Sequence, residues 1–482
     1  MIEMILIGGA ILLLCVSSSK LLYRFGVPTL LIFLLLGMLF GSDGLVGIRF
    51  EDFEMTRQLC SAALIFIMFF GGFGTSWKAA RPVIGPSLVL STLGVVLTAA
   101  IVGLFSWLLF GGNLLNGLLI GAVVSSTDAA SVFAILRSRK LNLKNGLASL
   151  LEVESGSNDP FSYMLTVVIA TLIAGQGGDS VFLLLFKQIS LGLAVGFALA
   201  FAAVFLLRRI QLEISGLYPI LMTAIVLLGY GLCEYFGGNG YLSVYIIGIV
   251  TGNSRIAHKR SMVHFFDGVT WIMQILLFFT LGLLSFPSQL PQILVPGILL
   301  SLFLLFVARP AAVFLLLAFF KFSVREKLFI SWVGLRGAAS IVFAIYAVTL
   351  GVQPDNDLFH LVFFVALFSV SAQGTLIPFL AKKLKLVETE TSVLKTFTDY
   401  EEESPHLIEL TVTGGHPWLG KTLLNADIPE GIRVVMIRRN GHLVIPDGST
   451  LIEDGDVLVV SGEDLSALDP ASITAAPGTP DA

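Results

Sequence analysis

The chain has 482 residues, of which 56% are hydrophobic and only 13% are charged, and its mean hydropathy is +0.91. Soluble domains carry about 25% charged residues, so this composition excludes an ordinary soluble enzyme. The net charge of −4 combines two opposite parts: residues 1–386 carry 24 Lys/Arg and 16 Asp/Glu, whereas the last 96 residues carry 5 and 17. The cations of the first part lie between apolar runs, which excludes a nucleic-acid-binding face and indicates charges that flank membrane spans.

The cysteines and the first apolar run exclude two further classes. Cys15, Cys60 and Cys233 all lie inside apolar runs without CxxC spacing, so they predict no disulfide framework, zinc site or redox motif. The first run begins with Glu3 and has no Lys or Arg before it, which favours a retained helix over a cleavable signal peptide.

Apolar runs separated by charge and turn clusters predict thirteen membrane-spanning helices. A span needs about 20 apolar residues, fewer where Gly or Pro interrupts it among neighbours. The predicted segments are 2–19, 28–41, 59–73, 86–110, 114–136, 146–174, 181–207, 217–236, 240–252, 265–285, 291–319, 328–350 and 358–381.

The distribution of cations predicts the topology. With the N-terminus outside, alternate loops hold 19 of the Lys and Arg residues, whereas the opposite loops hold only Arg49 and Arg57. Cytoplasmic loops are enriched in Lys and Arg, so these alternate loops and the C-terminus are predicted to be cytoplasmic. The other three cations, Lys187, Arg309 and Arg336, fall within apolar runs, and the role of Arg309 stays open.

A small soluble module is predicted to follow the membrane domain of residues 1–386. An acidic linker, 387–404, leads to a module at 405–468 and to a disordered tail at 469–482. Strand-like segments at 407–412, 432–438, 442–445 and 456–461, with a helix at 418–425, predict a small α/β domain. The Asn440-Gly441 pair is typical of a hairpin turn.

Ionisable side chains inside the predicted spans mark the candidate site. Asp128 lies in the fifth span, in a Ser-Ser-Thr-Asp run, and Asp159 lies near the midplane of the sixth. A single buried carboxylate is compatible with helix packing, but two on neighbouring spans beside Ser, Thr and Asn favour ion binding. Oxygen ligands suit Na⁺ or K⁺ and do not suit soft transition metals. Because no His lies at this depth, a proton carrier there must be a carboxylate.

Small and polar residues interrupt two of these spans. The segment 125–131 of the fifth span is poorly apolar, and Gly334-Leu335-Arg336-Gly337 interrupts the twelfth at the corresponding depth. Broken helices in corresponding positions of two halves are typical of inverted-repeat transporters with a midplane site. With the seventh span as a linker, spans one to six map onto eight to thirteen.

The sixth span presents two polar faces. Glu154 and Asn158 fall on one face, and Ser155 and Asp159 fall on another. We expect Glu154 to form a structural ion pair with Arg336, which needs a partner at this depth, and Asp159 and Ser155 to face the transported ion. Glu152 is either part of an ion access path or a solvated residue at the helix end.

These motifs resemble the cation:proton antiporter family, NhaP-type branch. The residues that carry the resemblance are Thr127-Asp128, Glu154-Ser155 with Asn158-Asp159-Pro160, and Gly334 to Ala338, in the expected order. The resemblance implies a homodimer in which a moving core carries the ion like an elevator. It also implies that Asp159 binds cation or proton, with Thr127, Asp128 and Ser155 completing the site. Asn158 before Asp159, where the electrogenic branch has paired aspartates, implies electroneutral exchange.

The C-terminal module resembles the TrkA-C regulatory domain of potassium transport proteins. Leu419 to Leu423 and Leu451 to Leu458 carry that resemblance, which implies the potassium/proton, CvrA-like subgroup and makes K⁺ at least as good a candidate as Na⁺. No cofactor is expected, and neither the regulatory ligand nor the preferred cation follows from the sequence.

Competition for one carboxylate gives the expected mechanism. A carboxyl group removed from water favours its protonated form, whereas a bound cation favours the ionised form. The sequence thus predicts a cell-membrane antiporter, not an enzyme. A regulated cation channel is the alternative, but no filter such as TVGYG is present, and no signalling domain supports a receptor.

Overall fold

The computed structural model describes residues 2–23, 29–139, 141–175, 180–352, 357–388, 406–414, 416–428, 432–439, 442–462 and 473–474. The chain divides after Phe397 into a large helical unit and a small unit with a β-sheet. Most of the predicted acidic linker and tail lies outside the described residues. Ile473–Thr474 of the predicted disordered tail instead forms a short strand.

The apolar runs of the first unit are helical. In chain order, the α-helices are α1 Ile2–Tyr23, α2 Thr29–Phe40, α3 Phe53–Gly74, α4 Trp77–Ala80, α5 Ile84–Val89, α6 Val95–Phe110, α7 Leu114–Val123, α8 Ala129–Ser138, α9 Leu147–Ile173, α10 Val181–Arg209, α11 Leu217–Tyr235, α12 Gly240–Gly252, α13 Lys259–Leu284, α14 Leu290–Phe303, α15 Arg309–Leu316, α16 Val324–Val333, α17 Ala338–Thr349, α18 Leu358–Phe368 and α19 Gly374–Lys383. Three π-helical turns continue a helix into its successor, at Leu90–Gly94, Leu304–Ala308 and Ser369–Gln373.

Each of the thirteen predicted segments coincides with one or more of these helices. Among the described residues, seven continuous helical stretches are long and apolar enough to cross a membrane, and an eighth is added if α16 and α17 form one span. Four shorter apolar helical stretches, in α1, α2, α7 and α12, are 10–17 residues long. The helices are therefore where the sequence places them, and the total of thirteen spans stays a prediction.

Two of the short non-helical segments between consecutive helices lie inside predicted spans. The first break, residues 124–128, lies between α7 and α8, and the second break, residues 334–337, lies between α16 and α17. Across the second break the helix direction changes by 50°. By contrast, α9 is continuous through Pro160. Each break leaves unpaired backbone carbonyls and N–H groups at the helix ends, and other groups must satisfy them.

Close approach of α7 to α6 positions the first break. Gly121 lies against α6 so tightly that an added Cβ would be 2.8 Å from the backbone nitrogen of Gly103. Small residues at such interfaces allow helix backbones to approach in membranes.

The second unit is a five-stranded sheet in the order β3-β2-β4-β1-β5. Its antiparallel strands are β1 His406–Thr411, β2 Ile432–Arg439, β3 His442–Val444, β4 Val457–Gly462 and β5 Ile473–Thr474. Arg439 pairs with His442, as a hairpin requires, and the predicted turn residues Asn440 and Gly441 lie outside the described residues.

The prediction of a helix at Trp418–Asn425 is wrong. The segment contains only a short 3₁₀ turn, Leu423–Asn425. Gly420 has a φ of +74°, and its N–H donates to the carbonyl of Ile452 at 3.0 Å. Backbone pairing with residues 450–452 therefore replaces the helical hydrogen bonds that the local sequence favoured.

Candidate functional site

The two breaks contact each other directly. The backbone N–H of Asp128 donates to the carbonyl of Leu335 at 2.8 Å. Gly337 faces the side chain of Asp128 so closely that an added Cβ would collide with its carboxylate. The absence of a side chain at Gly337 therefore allows the two non-helical segments to meet.

Arg336 of the second break caps the end of α7. Its Nη1 donates to the carbonyls of Ser125 and Ser126, both at 2.7 Å, and the side chain is buried. These carbonyls lie just after the C-terminal end of α7, where the helix dipole is negative and a cation is favoured. The guanidinium thus compensates the carbonyls that the first break leaves unpaired.

Asp128 caps the other side of the first break. Its Oδ1 accepts from the backbone N–H of Ser131 at 3.1 Å, and its Oδ2 accepts from the Ser131 hydroxyl at 2.6 Å. A carboxylate at this position satisfies an N-terminal N–H of α8 and complements the positive end of its dipole. The first break therefore lies between a capped negative helix end and a capped positive helix end.

Helix α9 supplies the other wall of the site. Asp159 Oδ1 accepts a hydrogen bond from the hydroxyl of Ser126, and both Asp159 and Asp128 are partly buried. The Ser155 hydroxyl donates to the carbonyl of Thr127 at 2.5 Å. Residues 155 and 159, one helical turn apart, therefore contact consecutive residues of the first break.

Asn158 fixes Thr127 from both sides. Its Oδ1 accepts from the Thr127 backbone N–H at 3.3 Å, and its Nδ2 donates to Thr127 Oγ1. The amide side chain thereby replaces helical partners that the first break lacks. The sequence placed Asn158 and Ser155 on faces with different functions. In the structure both residues contact Thr127, so the two faces are not separate at this point.

The predicted pair of Glu154 with Arg336 is wrong. Glu154 Oε1 pairs with Arg309 Nη2 at 2.5 Å, and both side chains are buried. Arg309 begins α15 after a π-helical turn, and Gly334 lies against it with an added Cβ 2.8 Å from its Nε. The guanidinium of Arg336 is directed to backbone carbonyls instead. The sequence left Arg309 without a role because its partner is 155 positions away.

Seven of the eight predicted residues take part in the contacts around the two breaks. They are Thr127, Asp128, Glu154, Ser155, Asn158, Asp159 and Arg336, and the eighth, Glu152, is partly buried one turn earlier on α9. Sequence reasoning missed Ser126 as the partner of Asp159, although it lies in the same Ser-Ser-Thr-Asp run. It also missed Ser369, whose hydroxyl accepts from the Arg336 backbone N–H at 3.0 Å.

The oxygen atoms around the first break could hold a monovalent cation. Carboxylate, hydroxyl and carbonyl oxygens come together there, and such hard donors suit alkali cations. Among the described residues, no group of three or more His, Cys, Asp or Glu side chains could hold a metal ion. Two carboxylates with neutral oxygens have the donor chemistry that suits an alkali cation. Partly buried acids at and beside a helix break, in a bundle of long apolar helices, are typical of a membrane protein that handles ions.

Comparison with protein families identifies the chain more closely. Residues 9–383 match the family described as the transmembrane sodium/hydrogen exchanger, and residues 407–467 match the TrkA-C domain. The chain belongs to the sodium/hydrogen exchanger family.

Several curated relatives are similar over most of the chain. The K⁺/H⁺ antiporter NhaP of Alkalimonas amylolytica is 37% identical over 92% of this chain and 78% of its own length. NhaP2 of Shewanella baltica, also named a K⁺/H⁺ antiporter, is 37% identical over 96% of this chain and 81% of its own. The Na⁺/H⁺ antiporter 1 of Methanocaldococcus jannaschii is 27% identical over 72% of this chain and 82% of its own.

A solved structure shares the fold. The sodium proton antiporter MjNhaP1 of M. jannaschii superimposes with a TM-score of 0.70 and 24% identity, covering 80% of this chain and 99% of that one. This chain therefore shares the fold of that solved structure over most of its length.

Proposed function

We propose that this protein is a secondary antiporter that exchanges one monovalent cation, K⁺ or Na⁺, for one proton across the cell membrane. The observation that carries the proposal is the placement of Asp159 against Ser126 of the first break. A carboxylate there can bind a cation together with neighbouring oxygens, or bind a proton alone. The names of the relatives support both cations, and the two 37% identical relatives favour K⁺.

Charge balance around the breaks supports electroneutral exchange. The described ionisable groups that lie in the two breaks, contact them or pair with a group that does are Asp128, Glu154, Asp159, Arg309 and Arg336. With all five ionised, their charges sum to −1. One bound K⁺, Na⁺ or H⁺ brings this sum to zero, and a neutral site moves through an apolar environment at far lower cost than a charged one. Either loaded state can then cross, whereas the empty state is retained.

Cation and proton compete in this scheme because they need the same carboxylate. A carboxyl group removed from water favours its protonated form, whereas a cation coordinated by Asp159 would favour the ionised form. Thr127, Asp128 and Ser155 complete the proposed cation site, and Asn158 and the Glu154–Arg309 pair keep its walls in place. Glu152 is proposed as part of the access path.

The two breaks interrupt the proposed fifth and twelfth spans. We propose that they correspond in an inverted repeat of thirteen spans, with an external N-terminus and a cytoplasmic C-terminal domain, and that a homodimer supports an elevator motion of the core. The proposed domains are 1–386 for antiport, 387–404 as linker, 405–468 for regulation and 469–482 as tail. The 50° change of direction at the second break and the contact between the breaks support this arrangement.

Proton flux in proteoliposomes tests the proposal. A pulse of K⁺ or Na⁺ outside should drive cation inward in exchange for protons and so alkalinise the lumen, and an imposed membrane potential should not alter the rate. Flux that follows the potential and needs no proton gradient would favour a regulated cation channel. No proton movement with either cation would refute the antiport proposal.

The substitution Asp159→Asn tests the site. It keeps a side chain of similar size but removes the ionisable group, so cation-dependent proton flux should be abolished. Asp52→Asn is the matched control, because Asp52 caps α3 at an exposed position and Asn is an equally good cap. Exchange by Asp159→Asn at the rate of the control would contradict the assignment.

A further inference from the structure

We propose that Ser369 and Gln373 are positioning residues of the cation site, because they fix both ends of the second break and thereby hold Arg336 against the first break. This inference rests on the proposed function. Both residues are buried, and neither contacts the two carboxylates of the site in the contacts described above. They act on the second break from a different part of the chain.

Each end of the second break is bonded to one of these residues. The carbonyl of Trp332, near the C-terminal end of α16, accepts from Gln373 Nε2. The indole N–H of Trp332 donates in return to the carbonyl of Gln373 at 3.2 Å. At the other end, the N–H of Arg336 donates to Ser369 Oγ at 3.0 Å. The groups that helix interruption leaves unpaired are thus satisfied by residues 369 and 373.

The two side chains also bond to each other. Ser369 Oγ donates to Gln373 Oε1 at 2.8 Å, which leaves the amide nitrogen of Gln373 for Trp332. Both residues lie in the π-helical turn Ser369–Gln373 between α18 and α19. Such turns often occur at functional sites. The result is one continuous chain of hydrogen bonds from Arg336 to Trp332.

Arg336 depends on this support because, among the described residues, no carboxylate forms an ion pair with its guanidinium. Its Nε and Nη2 have no hydrogen-bond partner in the part of the chain that the structure describes. The side chain also borders a cavity, which Ser301, Arg309, Ser369 and Gln373 line as well. The position of the guanidinium against the carbonyls of Ser125 and Ser126 therefore depends on the position of the backbone of the second break. A displaced Arg336 would loosen the oxygens that surround the cation.

The test compares Ser369→Ala and Gln373→Met with Ser371→Ala in proteoliposomes. Ser371 lies in the same π-helical turn, but among the described residues its hydroxyl donates only to the carbonyls of Leu367 and Phe368 within its own helix. Met fills the space of Gln without its hydrogen bonds. Each of the first two variants loses two side-chain hydrogen bonds. We expect each to raise the KM for K⁺ about fivefold, a change that corresponds to the net contribution of about one hydrogen bond. Ser371→Ala should keep the wild-type KM, and Ser369→Thr, which retains the hydroxyl, should restore it.

The KM separates positioning from a merely structural role. A structural role would lower the Tm and the amount of active protein but leave the KM of the remaining protein unchanged. A wild-type KM in both Ser369→Ala and Gln373→Met, or an equal rise in Ser371→Ala, would overturn the inference. Absence of exchange by the wild-type protein would refute the proposed function instead, so the two failures are distinguishable.

Discussion

The two breaks do different work although they interrupt helices in a similar way. The first break offers oxygen atoms, through Ser126, Thr127 and Asp128, and contacts the carboxylate of Asp159. The second break contributes the guanidinium group of Arg336, a hydrogen-bond donor, and this residue lies between Gly334 and Gly337 in the sequence. In the proposed function, the first break therefore holds a positive ion, and the second break holds the first one in place. The comparison shows that a helix interruption leaves backbone carbonyls and N–H groups unpaired, and that the neighbouring side chains determine what these groups bind.

The two buried arginines should separate these roles most strongly. Arg309→Met leaves the Glu154 carboxylate buried without its partner, which should destabilise the protein by about 3–5 kcal/mol. Arg336→Met leaves the Glu154–Arg309 pair intact and should lower the Tm less, while it abolishes or severely slows exchange. Melting in detergent together with flux in vesicles measures both effects.

The double variant Glu154→Gln with Arg309→Met is the control for the ion pair. It removes both charges and should recover most of the Tm lost in Arg309→Met, since no unpaired charge remains. A Tm for Arg309→Met that matches the wild type would contradict the structural role of Arg309. A loss of Tm in Arg336→Met that equals or exceeds the loss in Arg309→Met would instead favour the Glu154–Arg336 pair that the sequence predicted.

Separating the two breaks should give a smaller effect. Gly337→Ala places a methyl group against the side chain of Asp128 and should cost roughly 1–3 kcal/mol through overpacking. We expect a raised KM for K⁺ and a modestly lowered Tm. Gly231→Ala is the matched control, because an added Cβ there meets nothing within 4 Å. Identical kinetics in both variants would show that contact between the breaks does not matter for transport.

The smallest effect on exchange is expected from a change outside both breaks. In the small sheet, Asp456 is buried and accepts from Arg439 Nε and Nη2 at 2.8 and 2.7 Å. Burial acts to raise the pKa of Asp456, but hydrogen bonds from Arg439 and from the N–H of Glu453 outweigh it and lower the pKa. A lowered folded-state pKa stabilises the sheet above the unfolded value of about 3.9, and this contribution is lost as pH falls below it.

Arg439→Ala should therefore destabilise the sheet by roughly 1–2 kcal/mol at neutral pH and reduce its loss of stability on acidification. Hydrogen exchange of β2 and β4 in the intact protein, at pH 7 and at about pH 3, below the unfolded-state pKa, measures this effect. The KM for K⁺ should stay within the wild-type range. An unchanged exchange rate of the strands at both pH values would contradict the role of the Arg439–Asp456 pair.

Local sequence patterns predicted part of this arrangement and missed part of it. The Ser-Ser-Thr-Asp run and the glycines around Arg336 predicted where helices stop, because composition controls helix continuity over a few residues. The choice of partner for Glu154 depends on whether Arg309 or Arg336 reaches it, which only the packing of α9 and α15 decides. Trp418–Asn425 failed as a helix for the same reason, since pairing with residues 450–452 outweighs its weak local preference.

The central claim is that cation and proton compete for Asp159, and proton release on cation binding tests it most directly. K⁺ is titrated into the purified wild-type protein and into Asp159→Asn in weakly buffered detergent solution, across the pH range in which the wild type transports. We expect one proton to be released per cation bound by the wild-type protein where the site is protonated, and none by Asp159→Asn. Cation binding without proton release at every pH, or equal release by Asp159→Asn, would contradict the account.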